Sequence, residues 1–92
     1  MMTIRRVRQF KKDAKREAKT TGEQALNALL DEVLLPLISG SVLQPKHKDH
    51  ALTGNWTGCR DCHLKPDLVL IYELSDESLT LHRLGSHSEL FR

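Results

Sequence analysis

Between Gly58 and Gly85 the chain falls into three short segments of strand character, Gly58–Leu64, Leu68–Leu74 and Ser78–Gly85. The breaks between them, Lys65-Pro66 and Ser75-Asp76-Glu77, carry good turn chemistry and are too short for a crossover, so the strands must run antiparallel to their neighbours. A C-terminal meander is thus the strongest constraint on the fold. Along it Asp61, His63 and Asp67 share one parity, provided the turn at Lys65-Pro66 preserves register. Leu64, Leu68, Leu70, Tyr72 and Leu74 share the other, which is the face expected to meet the core.

Upstream, Thr3–Val7 reads as a first strand leading into a helix on which Val7, Phe10, Ala14 and Ala18 recur at three- to four-residue spacing. Lys11, Lys12, Lys15, Arg16 and Lys19 then cover its solvent side. Thr21-Gly22-Glu23-Gln24 offers a capping box for a second helix, whose Leu26, Leu29, Leu30, Val33 and Leu37 follow the 3.6 period. Pro36 should end or kink that helix before Gly40. From Ser39 to Thr57 no period is sustained, and a long functional loop containing His47 and His50 is expected. Helices first and a meander afterwards give an α+β fold, with an N-terminal strand and two helices packed on one face of an antiparallel sheet. The other face is left for a ligand.

A chain of 92 residues has room for one core, so residues 1–92 are expected to form a single domain. Residues 1–20 carry eight Lys/Arg against two acids, and residues 21–92 six against ten, so the basic end is the part expected to meet phosphate. The apolar stretch Ala25–Ile38 is shorter than the roughly 20 residues of a membrane span and is interrupted by Asp31, Glu32 and Pro36. Two cysteines cannot staple a small secreted fold, and MMTIRRVRQFKK lacks the apolar centre of a signal peptide. The cytoplasm is the expected compartment.

Cys59-Arg60-Asp61-Cys62-His63 matches the C-x-x-C-H pattern of haem attachment, but no Met follows Met2 as a second axial ligand, leaving only His82 and His87, and no export signal is present. A zinc site of His47, His50, Cys59 and Cys62 has the right ligand types. Against it, residues three apart on a strand point to opposite faces, so the cysteines are read as small, partly buried strand residues. By default Trp56 and Tyr72 are packing residues.

His47, His50, His63 and His87 lie in or beside the loop and strands. Phosphodiester cleavage in RNA needs one group to take the 2′-hydroxyl proton and another to protonate the departing 5′-oxygen, and imidazoles serve both. Arg83 could hold the phosphorane charge, and Asp67 could orient a neighbouring histidine.

HKDHALTGNW at 47–56, GCRDCHLKPDLVLIY at 58–72 and RLGSHSELF at 83–91 resemble the YafQ branch of the RelE/ParE superfamily of bacterial toxins. The resemblance implies a RelE-like fold and an mRNA interferase that enters the ribosomal A site and cleaves the message by 2′-hydroxyl attack, leaving a 2′,3′-cyclic phosphate without metal or cofactor. The family's active-site pattern falls on His50, His63, Asp67, Arg83, His87 and Phe91. It implies His50 and His63 on the base side with Asp67, His87 as general acid, Arg83 on the phosphate and Phe91 stacked on a base. Family members often carry an aromatic residue directly after the aspartate, where this chain has Leu68. His47, His82 and both cysteines fall outside the pattern. Lys11, Lys12, Lys15 and Arg16 are expected to contact RNA phosphates.

The resemblance further implies a cognate antitoxin, a DinJ-like ribbon-helix-helix protein with a segment that folds onto the toxin, and contact with promoter DNA only through that complex. A ParE-like gyrase-binding toxin is the alternative from another class, and a small zinc-binding module the third.

Overall fold

The computed structural model describes residues 2–91. Their elements are β1 (Thr3–Arg6), α1 (Arg8–Thr21), α2 (Glu23–Ile38), β2 (His50–Ala51), β3 (Arg60–Lys65), β4 (Leu68–Leu74), β5 (Ser78–Gly85) and α3 (His87–Leu90). The meander β3–β4–β5 forms as its alternation and turns require, and a five-stranded sheet is built around it in the order β1-β5-β4-β3-β2. The sheet is antiparallel as expected except at one edge, where β1 lies parallel to β5, with Ile4 opposite Leu79. The two-helix connection between β1 and the meander supplies the long crossover that parallel pairing needs. The loop after α2 also contains more order than its composition suggests: single helical turns at Pro45–His47 and Gly54–Trp56, and the two-residue strand β2 paired to β3.

One face of the sheet carries the main core. Leu64, Leu68, Leu70 and Tyr72 meet Leu26, Leu30 and Val33 of α2 and Phe10 of α1 there. The expected parity holds except at Leu74, which is 44% exposed because it ends β4 beyond the helical cover. Leu68 is 2% exposed in this core, so it cannot present a surface to a base on the opposite face. That opposite face is not bare, since Cys59, Val69, Ile71 and Leu90 form a smaller cluster under Leu52, Trp56 and Phe91.

The Thr21–Gln24 capping box does not form. Helix α1 runs through Thr21, and Gly22, at φ 94°, both closes α1 by donating its N–H to the Ala18 carbonyl and opens α2 without a side-chain cap. A positive φ stops the first helix at a residue that bears it without strain. Pro36 lies inside α2, where it cannot donate to the Glu32 carbonyl, and the helix ends two residues later at Ile38, before Gly40. No helix among the described residues is long and apolar enough to cross a membrane.

Candidate active site

Strand pairing gathers the polar residues of the open face. His50 on β2 pairs with Asp61 on β3, Asp61 with Ile71 on β4, and Ile71 with Arg83 on β5, so all four lie on one cross-strand row. Cross-strand partners share a face. The adjacent row is His63, Val69 and Gly85.

Asp61 is the residue that sequence reasoning passed over. It is 1% exposed, and its Oδ1 lies 3.0 Å from His50 Nδ1 yet receives no well-aligned hydrogen bond. Burial raises its carboxyl above the ordinary 3.8, against the pull of His50, His63 and His87. A folded-state value above the unfolded one means that Asp61 contributes stability below about 3.8, which is lost as pH rises through the folded value. Asp61→Asn is therefore expected to be more stable than the parent at pH 7 in urea denaturation, with the difference closing in acid.

The candidate bases are held in defined tautomers. A carbonyl oxygen only accepts, so the 2.9 Å contact of His50 Nδ1 with the Lys48 carbonyl and the 3.2 Å contact of His63 Nδ1 with the Pro66 carbonyl both place the proton on Nδ1. In the neutral form of each ring the lone pair is then on Nε2. Lys48 turns the chain through φ 48° just before His50. The next residue, Asp49, accepts hydrogen bonds from Arg60 and from the Tyr72 hydroxyl at 2.5 Å, which fixes the segment to β3 and β4. His47, 3% exposed, donates from Nδ1 to the His63 carbonyl at 2.8 Å and supports that strand.

Asp67 sits in the β3–β4 turn and accepts from the backbone N–H of His87 at 3.2 Å. The contact is to the main chain of α3 rather than to an imidazole. A capping box fixes the same turn: the Ser86 N–H donates to Glu89 Oε1 at 2.9 Å and the Glu89 N–H to Ser86 Oγ at 3.3 Å. The Ser86-x-x-Glu89 spacing was the available sequence signal for this helix. One turn on, the Phe91 ring packs against the His87 imidazole with centroids 4.7 Å apart.

Arg83 points to a second omission, Asp13. This carboxylate, 0% exposed on α1, accepts from Arg83 Nε at 2.7 Å, Arg83 Nη2 at 3.4 Å and the Leu84 N–H at 3.0 Å. Beyond Leu81 no strand among the described residues lies on the outer edge of β5, and α1 substitutes for one: Asp13 takes the Leu84 N–H while Arg16 Nη2 donates to the Leu84 carbonyl at 2.9 Å. Arg16 lies on the solvent side as expected, its side chain 43% exposed, but it also bonds Asp13 and Glu17 and lies 3.8 Å from Glu89. Lys11, Lys12 and Lys15 are exposed.

The four-ligand zinc set does not converge. Cys62 is fully buried on the helix side, where burial pushes its thiol up to about 12, whereas Cys59 faces the opposite cluster. His47 is committed to the His63 carbonyl.

Residues 2–92 match the family model described as the bacterial toxin of type II toxin-antitoxin system, YafQ. The mRNA interferase toxin YafQ of Escherichia coli K12 is 39% identical over 83 residues, which is 90% of this chain and 88% of that protein. Among solved structures, a copper-bound mutant toxin from Helicobacter pylori superposes with TM-score 0.89 at 41% identity, covering 99% of this chain and 100% of that one. The E. coli DinJ-YafQ complex superposes with TM-score 0.86 at 35% identity, covering both chains fully. With a family match over nearly its whole length and an α+β sheet that superposes on YafQ structures, the chain belongs to the YafQ family of bacterial toxins of type II toxin-antitoxin systems and has a RelE-like fold.

Proposed function

We propose that residues 1–92 act as one toxin domain, an endoribonuclease that cleaves mRNA in the ribosomal A site by metal-independent acid-base catalysis. The observation that carries this reading is the pair of imidazoles, His50 and His63, each with its Nδ1 proton held by a carbonyl and its Nε2 lone pair available on the face that also holds Arg83. Nε2 of either ring takes the 2′-hydroxyl proton, and the 2′-oxygen attacks phosphorus. The P–O5′ bond breaks, His87 protonates the leaving oxygen, and a 2′,3′-cyclic phosphate remains. With Nε and Nη2 on Asp13, Arg83 is oriented to turn its remaining nitrogen to the phosphorane. Asp67 sets His87 by holding its backbone, and Phe91, packed on His87, offers its other face to a base.

The partners that follow are mRNA and the ribosome, whose RNA phosphates Lys11, Lys12 and Lys15 would meet, and a DinJ-like ribbon-helix-helix antitoxin through which alone the toxin reaches promoter DNA. The cytoplasm is the site of action. A gyrase-binding toxin has no use for two tautomer-locked imidazoles, and nothing in the site favours it.

The test is cleavage of a message positioned on purified ribosomes with chelator present. Cutting in the A site that ends in a cyclic phosphate, and that stops when the nucleotide 5′ of the cut carries a 2′-deoxy sugar, is the expected result. Cutting that survives the deoxy substitution, or that needs added metal, would overturn the mechanism.

A further inference from the structure

Cys59, Glu73 and His82 lie on the three adjacent strands of the meander or at their ends, on the open face but outside the proposed catalytic set. Cys59 directly precedes β3, whose Arg60 pairs with Tyr72, which brings it level with Glu73 on β4. On β5 the register shifts, with Tyr72 opposite Leu81 but Ile71 opposite Arg83, so His82 is the extra residue of a bulge and its imidazole turns to Glu73. As a result Cys59 Sγ, a Glu73 carboxylate oxygen and a His82 ring nitrogen all lie within 4.8 Å of one another, the only such donor group among the described residues.

We propose that Cys59, Glu73 and His82 bind a zinc ion through three protein ligands, with water in the fourth position. Zinc bonds of roughly 2.0–2.3 Å put tetrahedral donors about 3.5 Å apart, so donors that lie within 4.8 Å of one another need to close by at most about 1.3 Å. Glu73, whose side chain is 52% exposed, has the freedom to supply that movement, and His82 Nε2 is already 3.0 Å from Glu73 Oε1. Trp56 backs the imidazole edge-on at 6.0 Å and limits its swing. One thiolate, one imidazole and one carboxylate suit a borderline-soft ion and exclude magnesium and calcium, which take oxygen ligands. On binding, the thiol proton leaves to solvent and the imidazole carries its own on Nδ1, which frees Nε2 for the metal. The exposed side of Glu73 leaves the ion open to water. Because Trp56 and Phe91 line one cleft with Leu90, an ion here would stiffen the wall next to the proposed base-stacking residue.

The inference is independent of the nuclease reading and is tested by metal titration of the reduced, metal-free full-length protein. Cobalt(II) should give a thiolate charge-transfer band that saturates at one equivalent and is displaced by zinc. The band should vanish in Cys59→Ser and survive in the double variant His50→Ala/His63→Ala. His82→Ala should weaken zinc binding by more than the roughly 10- to 100-fold that loss of an outer-shell contact costs. Far-UV circular dichroism checks the fold, and should Cys59→Ser unfold, His82→Ala and Glu73→Gln give the deciding readout. No thiolate band in the parent, a band that persists in Cys59→Ser, unchanged affinity in both His82→Ala and Glu73→Gln, or a band lost with the catalytic histidines would each overturn the proposal.

Discussion

Asp13→Ala is expected to cost about 3–5 kcal/mol of folding stability, the range for removing one partner of a buried ion pair. The loss is large because the carboxylate serves several donors at once. Its removal strands the Leu84 N–H at the β5 edge and takes the counter-charge from both Arg83 and Arg16. Small domains have only about 5–15 kcal/mol in total, so the variant should sit near its unfolding threshold at physiological temperature. Urea denaturation at constant slope checks it. Asp13→Asn, which keeps the shape and loses the charge, should fall between. The pH dependence supplies a second readout. Burial works to raise the Asp13 carboxyl, but the hydrogen bonds from Arg83, Leu84 and Gln9 and the Arg83 charge outweigh it and hold the group below the ordinary 3.8. A depressed folded value contributes stability above about 3.8 that is lost as pH falls through the folded value. The parent should therefore lose stability in acid along a limb that Asp13→Asn lacks. If both proteins show the same acid limb, Asp13 does not anchor Arg83 and the β5 edge.

The largest effect on activity is expected at His87. The residue is exposed and its ring packs against Phe91, so His87→Ala should fold as the parent does while its cleavage rate drops by about 10²- to 10⁴-fold, the usual contribution of a positioned acid or base. The assignment as general acid makes a sharper demand. A message with a 5′-bridging sulfur at the scissile phosphate has a leaving group that needs no protonation, so it should be cut by His87→Ala nearly as fast as by the parent. The same substrate should not rescue a His50→Ala/His63→Ala variant, in which the 2′-hydroxyl proton has no acceptor. Equal defects on both substrates would remove His87 from the acid role.

Much of the scaffold was legible in the chain. The short apolar runs of strand character at Leu68–Leu74 and Ser78–Gly85, with turn residues between, give the meander. The second helix follows from the spacing of Leu26, Leu30, Val33 and Leu37, which become buried in the core. The opposite faces of Cys59 and Cys62 follow from strand alternation alone, and so does the position of His63 beside Asp61. The parallel placement of β1 was not legible, because pairing between the first and last strands depends on how two helices pack in between. Nor was α3 recognised, although Ser86 and Glu89 carried its capping signature.

The candidate site divides in the same way. His50, His63, Arg83 and His87 stand out as residue types whose chemistry suits phosphodiester cleavage, and that much requires no coordinates. Asp13 is different, since in the run Lys11-Lys12-Asp13-Ala14-Lys15-Arg16 it reads as one more charge on a solvated helix face. Only when β5 outruns β1 is there an unpaired Leu84 N–H for it to receive, and only then does Arg83 find an anchor. Arg16, still exposed, gains a contact with the Leu84 carbonyl for the same reason. Likewise Cys59, Glu73 and His82 are 14 and 9 residues apart in the chain, and a single-residue bulge on β5 brings them together. Local pattern determines strands, helices and the chemical inventory, because those depend on neighbours within a few positions. Which charges are buried, which are paired and which donors converge is decided by strand register and by the edges that helices cover, and these exist only once the chain has folded.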